Sequence, residues 1–242
     1  MISTVDLLQI SHAFADMADE ICEVWEGSDE PSPQLVKKAM LQLFDILERN
    51  TSDAPETDDH NLNPEEINEL GEYGLTLLQE MSTFAADMGL QEIAEGLEDL
   101  CFPFAVWLAR QECEIKMLEP VVNALARKAN HIQDAALLKQ LFSYLNEIID
   151  SISPLITQDL EKTNPMRPWR ILLINRAIIA TRSHDTDLMK TAFDQLLDIL
   201  PEDAPRFFEE GVEQMQMVDY PDHVIEVMQN YYLLHGTPKT LH

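Results

Sequence analysis

The chain has 242 residues, of which 45 % are apolar, enough to build a sizeable buried core in one or two domains. Its 44 acidic and 16 basic residues give a net charge of -28. The excess is uneven, because residues 1–121 carry -22 and residues 122–242 carry -6. A field of this sign repels a phosphate backbone, so DNA and RNA are excluded as expected ligands.

The composition predicts an all-α protein. Glycine is scarce at 7 residues, and Leu, Ala and Glu are abundant, which favours helix over strand. No apolar run approaches the roughly 18 residues of a membrane helix, and the amino terminus lacks the features of a signal peptide. We therefore expect a soluble, cytoplasmic protein with no membrane contact. Cys22, Cys101 and Cys113 have no CxxC spacing and are expected to be reduced core thiols.

Two helices are predicted in the first fifty residues. The first is capped by Ser3 or Thr4 and continues to about Trp25. The second begins with Ser32 as its N-cap and Pro33 in its first position, where a missing N–H has no cost. The periodicity of the first helix predicts an inward face made of Val5, Leu8, Phe14, Met17, Ile21 and Val24.

Residues 51–63 are predicted to form an acidic loop or linker, because they have no apolar period. A new helix is predicted to begin directly after this loop. Asn63 is its N-cap, Pro64 lies in its first turn and Glu66 completes a capping box. This helix should continue to about Met88.

Two prolines interrupt the following helical pattern. Pro103 is expected to bend or end the helix that contains it. The segment from 104 to about 129 is predicted to be helical, with Pro120 either starting a second helix or bending the first.

The clearest helical hairpin has arms at 169–181 and 188–200. The first arm is apolar nearly all round, which predicts a central helix buried by neighbours on several sides. The second arm is apolar on one wide face. Two shorter helices are predicted at 204–218 and 222–234, followed by a frayed tail at 236–242.

The apolar pattern of the second arm recurs along the chain. Similar patterns begin at 35, 89, 137 and 188, at spacings of 54, 48 and 51 residues. Even spacing is typical of stacked helical repeats, although any amphipathic helix shares some of these positions. We predict one all-α domain over 1–242, made of 9 to 11 helices in stacked antiparallel hairpins, an α-solenoid or irregular helical-repeat bundle. Four equivalent leucines should be buried: Leu43, Leu97, Leu145 and Leu196.

In this pattern the chain resembles the tetratricopeptide and HEAT-like families of helical-hairpin repeats. The resemblance covers most of 1–234. It departs from the tetratricopeptide consensus, whose period is 34 residues and of which only Leu70, Gly71 and Tyr73 form a misspaced trace. The resemblance implies a superhelix that binds peptides or proteins.

A histidine and an aspartate lie between the arms of the central hairpin. The pair His184-Asp185 resembles the metal pair of the HD-domain phosphohydrolases, which are also all-α. Such a site would need further ligands from His131, His223 or Asp222. The alternative is that Asp185 or its neighbour caps the next helix, and we favour this interpretation. No metal or cofactor is therefore predicted.

Positive charge gathers unexpectedly around the first arm of the hairpin. Arg167, Trp169, Arg170 and Arg176, followed by Arg182, form a cationic and aromatic series in an acidic chain. Arginine binds carboxylates and stacks on aromatic rings. We favour the interpretation that these arginines neutralise acidic helices of the same chain. The alternative is a pocket for an acidic peptide or small anion, for which the first four are the predicted binding residues. We expect Arg167 and Arg170 to be exposed and Arg176 to be paired within the chain.

The sequence thus favours a non-enzymatic helical-repeat adaptor or scaffold that binds a protein or peptide. A basic partner would suit the acidic amino-terminal half. The alternatives are a metal-dependent hydrolase centred on His184-Asp185 and an oligomeric structural protein, and homo-oligomerisation is compatible with the leading hypothesis.

Overall fold

The computed structural model describes residues 5–27, 31–51 and 62–236, and 78 % of these residues are helical. The described residues contain no strand, which confirms the predicted all-α class. They form eleven helices and one additional helical turn, α8. The elements are α1 Leu7–Val24, α2 Pro33–Thr51, α3 Pro64–Asp87, α4 Gln91–Asp99, α5 Cys101–Arg110, α6 Glu119–His131, α7 Ala135–Asp150, α8 Pro154–Thr157, α9 Pro168–Arg182, α10 Thr186–Ile199, α11 Ala204–Met217 and α12 Asp222–His235.

Several helix ends lie where local chemistry predicts them. The side chain of Asn63 accepts from the backbone N–H of Glu66, and the Glu66 carboxylate accepts from the backbone N–H of Asn63, so the capping box is complete. After α3 the backbone of Gly89 is left-handed at φ 76°. The predicted acidic loop lies mostly outside the described residues, as does the predicted tail beyond Gly236.

The predicted inward face of α1 is partly wrong. The helix begins at Leu7, with Asp6 as its N-cap, whereas the predicted caps lie outside the described residues. Leu8 is 47 % exposed and Val24 is 55 % exposed. The buried stripe follows the 3.6-residue period along a neighbouring face instead, because it is set by the packing of α1 on other helices. Its members are Leu7, Ile10, Phe14, Ala18 and Ile21.

The helical segment predicted from 104 to about 129 is two helices, α5 and α6. Pro120 lies in the first turn of α6, so the alternative in which it starts a second helix is confirmed. Helix α5 ends at Arg110, and residues 111–118 leave the helix. Ile115 forms an isolated parallel bridge with Ile152, donating its N–H to the Ser151 carbonyl at 2.8 Å. Pro103 has no N–H to donate to the carbonyl of Asp99, four residues earlier, and α4 ends at Asp99, as expected of a helix interrupted by this proline. Pro103 itself lies in the first turn of α5, where a missing N–H is harmless.

The described chain divides into two compact units. The first unit comprises the described residues of Ser3–Lys128 together with Asn146–Leu160, and the second comprises those of Ala129–Leu145 and Glu161–His242. Whether 1–242 behaves as one domain, as the sequence predicts, stays a prediction.

In the first unit, α2 packs against α1 and α3, while α3 also packs against α4. Aromatic side chains connect these helices. Phe44 meets Phe14 and Phe104 edge-on, each at a centroid distance of 6.0 Å. Such pairs add to the burial of large apolar surface, which is the main stabilising contribution of the core.

In the second unit, α9 packs against α10, and α11 packs against α12, which also contacts α10. Phe193 of α10 lies at its centre, with ring centroids 5.2 Å from Phe208 and 5.1 Å from Tyr231. The prediction of four buried leucines is confirmed, since Leu43, Leu97, Leu145 and Leu196 are at most 2 % exposed. None of the described helices is long and apolar enough to cross a membrane.

The three cysteines are free thiols. Cys101 and Cys113 are buried, and burial raises the pKa of Cys101 to about 12 and that of Cys113 to about 11. They are core thiols, as predicted, whereas Cys22 is only half-buried.

Two helical glycines provide a matched test of the packing in the first unit. A Cβ at Gly74 would lie 2.7 Å from the ring of fully buried Phe104, whereas a Cβ at Gly96 would meet only the flexible end of Met17. We expect Gly74→Ala to destabilise the protein by about 1–3 kcal/mol through overpacking. Gly96→Ala should be neutral or stabilise by up to about 1 kcal/mol, since Ala favours helix over Gly. Urea unfolding followed by tryptophan fluorescence measures both. Equal effects would contradict the packing described here.

Candidate functional site

The predicted cationic series does not form an exposed patch. Arg167 is only 6 % exposed, and its Nη1 donates to the carbonyls of Lys162 and Asn164 at 3.1 and 3.0 Å. The expectation that Arg167 is exposed is therefore wrong, because its guanidinium closes the turn that leads into α9. Trp169, in the first turn of α9, is 4 % exposed and belongs to the core.

Arg170 is engaged within the chain rather than open to a ligand. Its Nε and Nη2 donate to Oδ1 of Asp203 at 2.8 and 2.7 Å, and its Nη1 donates to the Pro165 carbonyl at 2.9 Å. The ion pair joins the first turn of α9 to the residue before α11. The expectation of an exposed Arg170 is therefore also wrong, since its side chain is 22 % exposed.

Arg176 lies inside the second unit and is 5 % exposed. Its Cζ lies 4.5 Å from the centroid of the Phe142 ring, an arrangement in which the ring face stabilises the cation. The sequence suggests a carboxylate partner or an open groove for this residue and gives no sign of stacking on a ring. Whether these four residues bind a ligand stays a prediction.

Arg182, at the end of α9, satisfies the end of another helix. Its Nη1 donates to the carbonyl of Ala129 at 2.7 Å, and its Nη2 donates to that of Ile132 at 2.5 Å. The last carbonyls of a helix receive no hydrogen bond from an N–H of that helix. A cation placed beside those of α6 therefore satisfies them and also meets the negative end of the helix dipole. Arg182 therefore fixes α9 to the end of α6.

The His184-Asp185 pair forms the turn between α9 and α10. The backbone of His184 is left-handed at φ 56°, and Asp185 caps α10 by accepting from the N–H groups of Asp187 and Leu188 at 3.1 and 3.2 Å. The other carboxylate oxygen of Asp185 lies 2.8 Å from Nζ of Lys139. Among the described residues, no group of three or more His, Cys, Asp or Glu is placed to hold a metal ion. The geometry supports the capping interpretation.

An open cavity of about 540 Å³ lies beside α9 and α11 in the second unit. We call this cavity the α9–α11 groove. Its apolar walls come from α9, α11, the segment after α11 and α12. The apolar lining residues are Ile174, Ile178, Phe207, Met215, Val218 and Met228.

A second cavity of about 380 Å³ lies near the start of α9 and shares lining residues with the groove. Both cavities are lined by Ile174, Phe207 and Glu210. A helix of 15 residues such as α9 is about 22 Å long. The two cavities together thus follow much of one side of α9.

The apolar walls of the groove are partly accessible to solvent. Ile178 is 38 % exposed and Val218 is 45 % exposed. Gly211 keeps α11 close to α12, because a Cβ at that position would lie 2.7 Å from the end of the Met228 side chain. The thioethers of Met215 and Met228 give this wall a deformable surface, because methionine side chains are unbranched and flexible.

The cations beside the groove are all engaged within the chain. Arg170 pairs with Asp203, Arg182 binds backbone carbonyls, and Arg206 pairs with Glu210 at 2.7 Å. The exposed carboxylates Glu213 and Asp219, by contrast, have no ion pair among the described residues. Asp219 lies between the lining residues Val218 and Tyr220, and Glu213 lies one helical turn after the lining residue Glu210. The rim is therefore acidic.

Sequence reasoning did not find this groove. It predicted that α9 is buried on several sides, and the buried positions of α9 agree, but Ile178 is exposed. One feature of the sequence pointed to the groove: α9 has more apolar residues than one neighbouring helix can cover. Met215 and Val218 gave no local signal, because a groove arises from the spacing between helices.

No protein-family model matches the chain, and no curated protein or solved structure is significantly similar to it. The case for function therefore depends on the structure and the charge distribution.

The role of Arg182 can be tested by replacing its guanidinium with an apolar chain of similar length. We expect Arg182→Met to destabilise the protein by about 1–3 kcal/mol, because two helix-end carbonyls lose their donor. The control is Arg206→Met, whose side chain is 79 % exposed in a pair on one helix surface and should change stability by less than about 0.5 kcal/mol. Chemical denaturation gives both values, and an Arg182 variant as stable as the control would contradict the assigned role.

The Asp185–Lys139 pair predicts a specific pH dependence. The hydrogen bond from Lys139, followed by that from the Leu188 N–H, lowers the pKa of the Asp185 carboxyl below its usual value. The stabilising contribution is therefore complete above pH of about 4 and is lost as the pH falls through the lowered folded-state pKa. Asp185→Asn, which keeps a capping oxygen, should lower the urea midpoint at pH 7, and the difference from wild type should shrink at pH 3.

The control is Asp187→Asn, since that side chain is 91 % exposed and 3.8 Å from Lys190. It should shift the midpoint little at either pH. A difference between the Asp185 variant and wild type that is as large at pH 3 as at pH 7 would show that the charged pair is not its origin.

Proposed function

We propose that this chain is a non-catalytic helical protein that binds a segment of another protein in the α9–α11 groove. The observation that carries the proposal is the elongated apolar groove, whose walls remain accessible in the second unit. Helical segments of partner proteins commonly bind in such grooves through apolar side chains at positions i, i+3 or i+4, and i+7.

The dimensions of the groove support a helical segment over a small molecule. Small-molecule sites usually bury about 70–90 % of the ligand surface in a concave pocket. Here the wall residues Ile178 and Val218 are themselves 38 % and 45 % exposed, and a second cavity extends the groove. The two cavities follow one side of α9, whose length of about 22 Å corresponds to about four turns of another helix.

Selection from a random peptide library tests this function and reveals the preferred partner sequence in the same experiment. Displayed 18-residue peptides with randomised positions are selected against the whole chain. The enriched sequences should carry apolar residues at helical spacing, and their affinity should fall about tenfold or more for Ile178→Asp, which places a charge on the groove wall. The control is Leu160→Asp, at an 82 % exposed position of the first unit, which should leave binding unchanged.

Circular dichroism confirms that each variant is folded, and Val218→Asp replaces Ile178→Asp if the latter is not. Enriched peptides that bind the wall variant and wild type equally would contradict docking in this groove. Absence of any enriched helical sequence would contradict it as well.

A further inference from the structure

We infer that the helix bound in the α9–α11 groove is basic: its apolar face lies in the groove, and its Lys and Arg side chains lie along the acidic rim. This inference rests on the proposed docking function and adds the chemistry of the partner. Three observations support it: the apolar walls of the groove, the ion pairs that the charged groups beside the groove do or do not form, and the negative net charge.

Most of the positive charge beside the groove is not available to an acidic partner. The lining guanidiniums belong to Arg170, Arg182 and Arg206, and each already donates to a carboxylate or to backbone carbonyls. A carboxylate from a partner would compete with these bonds. At Arg170 and Arg182, whose contacts are part-buried, its gain would be offset by the loss of the internal contact, so acidic side chains are disfavoured there.

The rim offers carboxylates that are ready to receive a cation. Glu213 on α11 and Asp219 in the segment after α11 are exposed, and neither has an ion pair in the described part of the chain. Glu213 lies one helical turn after the lining residue Glu210, and Asp219 lies between the lining residues Val218 and Tyr220. A lysine or arginine one turn from an apolar anchor of the partner therefore reaches a carboxylate without breaking an existing contact.

The net charge of the second unit acts in the same direction. Residues 122–242, which contain this unit, carry -6, and a negative field attracts a basic segment and raises its association rate, most strongly at low salt. The apolar groove then supplies the short-range contacts. Electrostatic complementarity and apolar anchoring thus select one class of partner, a basic amphipathic helix.

Two synthetic 18-residue helical peptides separate this inference from the proposed function. They share one apolar face, and their polar faces carry Lys in one and Glu in the other. Fluorescence anisotropy of the labelled peptides against the full chain gives the two affinities. We expect the Lys peptide to bind at least about tenfold more tightly than the Glu peptide at 0.15 M salt, with a difference that narrows as salt rises.

Paired charge reversals separate the rim from the general field. Glu213→Lys with Asp219→Lys should weaken the Lys peptide about tenfold. Glu80→Lys with Asp87→Lys, at exposed positions of α3, changes the net charge by the same amount and should weaken it less than about twofold. A Lys-rich peptide without the apolar face should bind weakly to the rim variant and to the α3 variant.

The possible failures are distinct. If the Glu peptide binds as tightly as the Lys peptide and Ile178→Asp still abolishes binding, the groove docks a helix but the partner is not basic. Equal loss in the rim and α3 variants also overturns the inference, because attraction would then come from net charge alone. If Ile178→Asp and Val218→Asp leave the binding of both peptides unchanged, the proposed function fails together with the inference.

Discussion

The structure of the second unit depends on one helix with more apolar surface than a single neighbour can cover. Helix α9 carries apolar residues around most of its circumference, and such a helix must be covered on several sides. Helix α10 covers one side. The side with Ile174 and Ile178 faces the groove next to α11 instead. The spacing between α9 and α11 therefore decides how much apolar surface of α9 remains available to a partner.

The scarcity of positive charge gives each arginine beside α9 a structural role. Arg170 joins α9 to the start of α11, Arg182 joins it to the end of α6, and Arg176 stacks on Phe142. These contacts hold the groove walls in place while neutralising buried polar groups. The carboxylates, which are in excess, remain on the surface. The excess of acidic over basic residues thus explains both why the arginines are engaged within the chain and why the rim is acidic.

Much of the fold could be predicted from local sequence signals. Asn63, Gly89 and Asp185 mark helix ends by their own backbone and capping chemistry, and the structure agrees with them. The break after Arg110 could not be predicted in this way, because it depends on a backbone pairing between Ile115 and Ile152, which are distant in sequence. Leu8 likewise has the periodicity of a buried residue, but α1 packs on other helices through the neighbouring face and leaves Leu8 exposed.

The candidate site was harder to predict, because composition does not report what each charge contacts. The sequence correctly predicts that positive charge gathers around α9. It could not show that Arg167 and Arg170 bind groups of their own chain. A groove is likewise a property of distances between helices. Ile178 was identified as apolar, yet its exposure follows from the position of α11.

The most direct test of the central claim is a methyl NMR titration of the full chain with the Lys peptide. Ile and Met methyl groups report on the groove and on the rest of the chain in one experiment. The account predicts the largest shifts at Ile174, Ile178, Met215 and Met228, with little change at Met40 and Met81 in the core of the first unit. Shifts confined to methyl groups outside the groove, with those four unchanged, would contradict it.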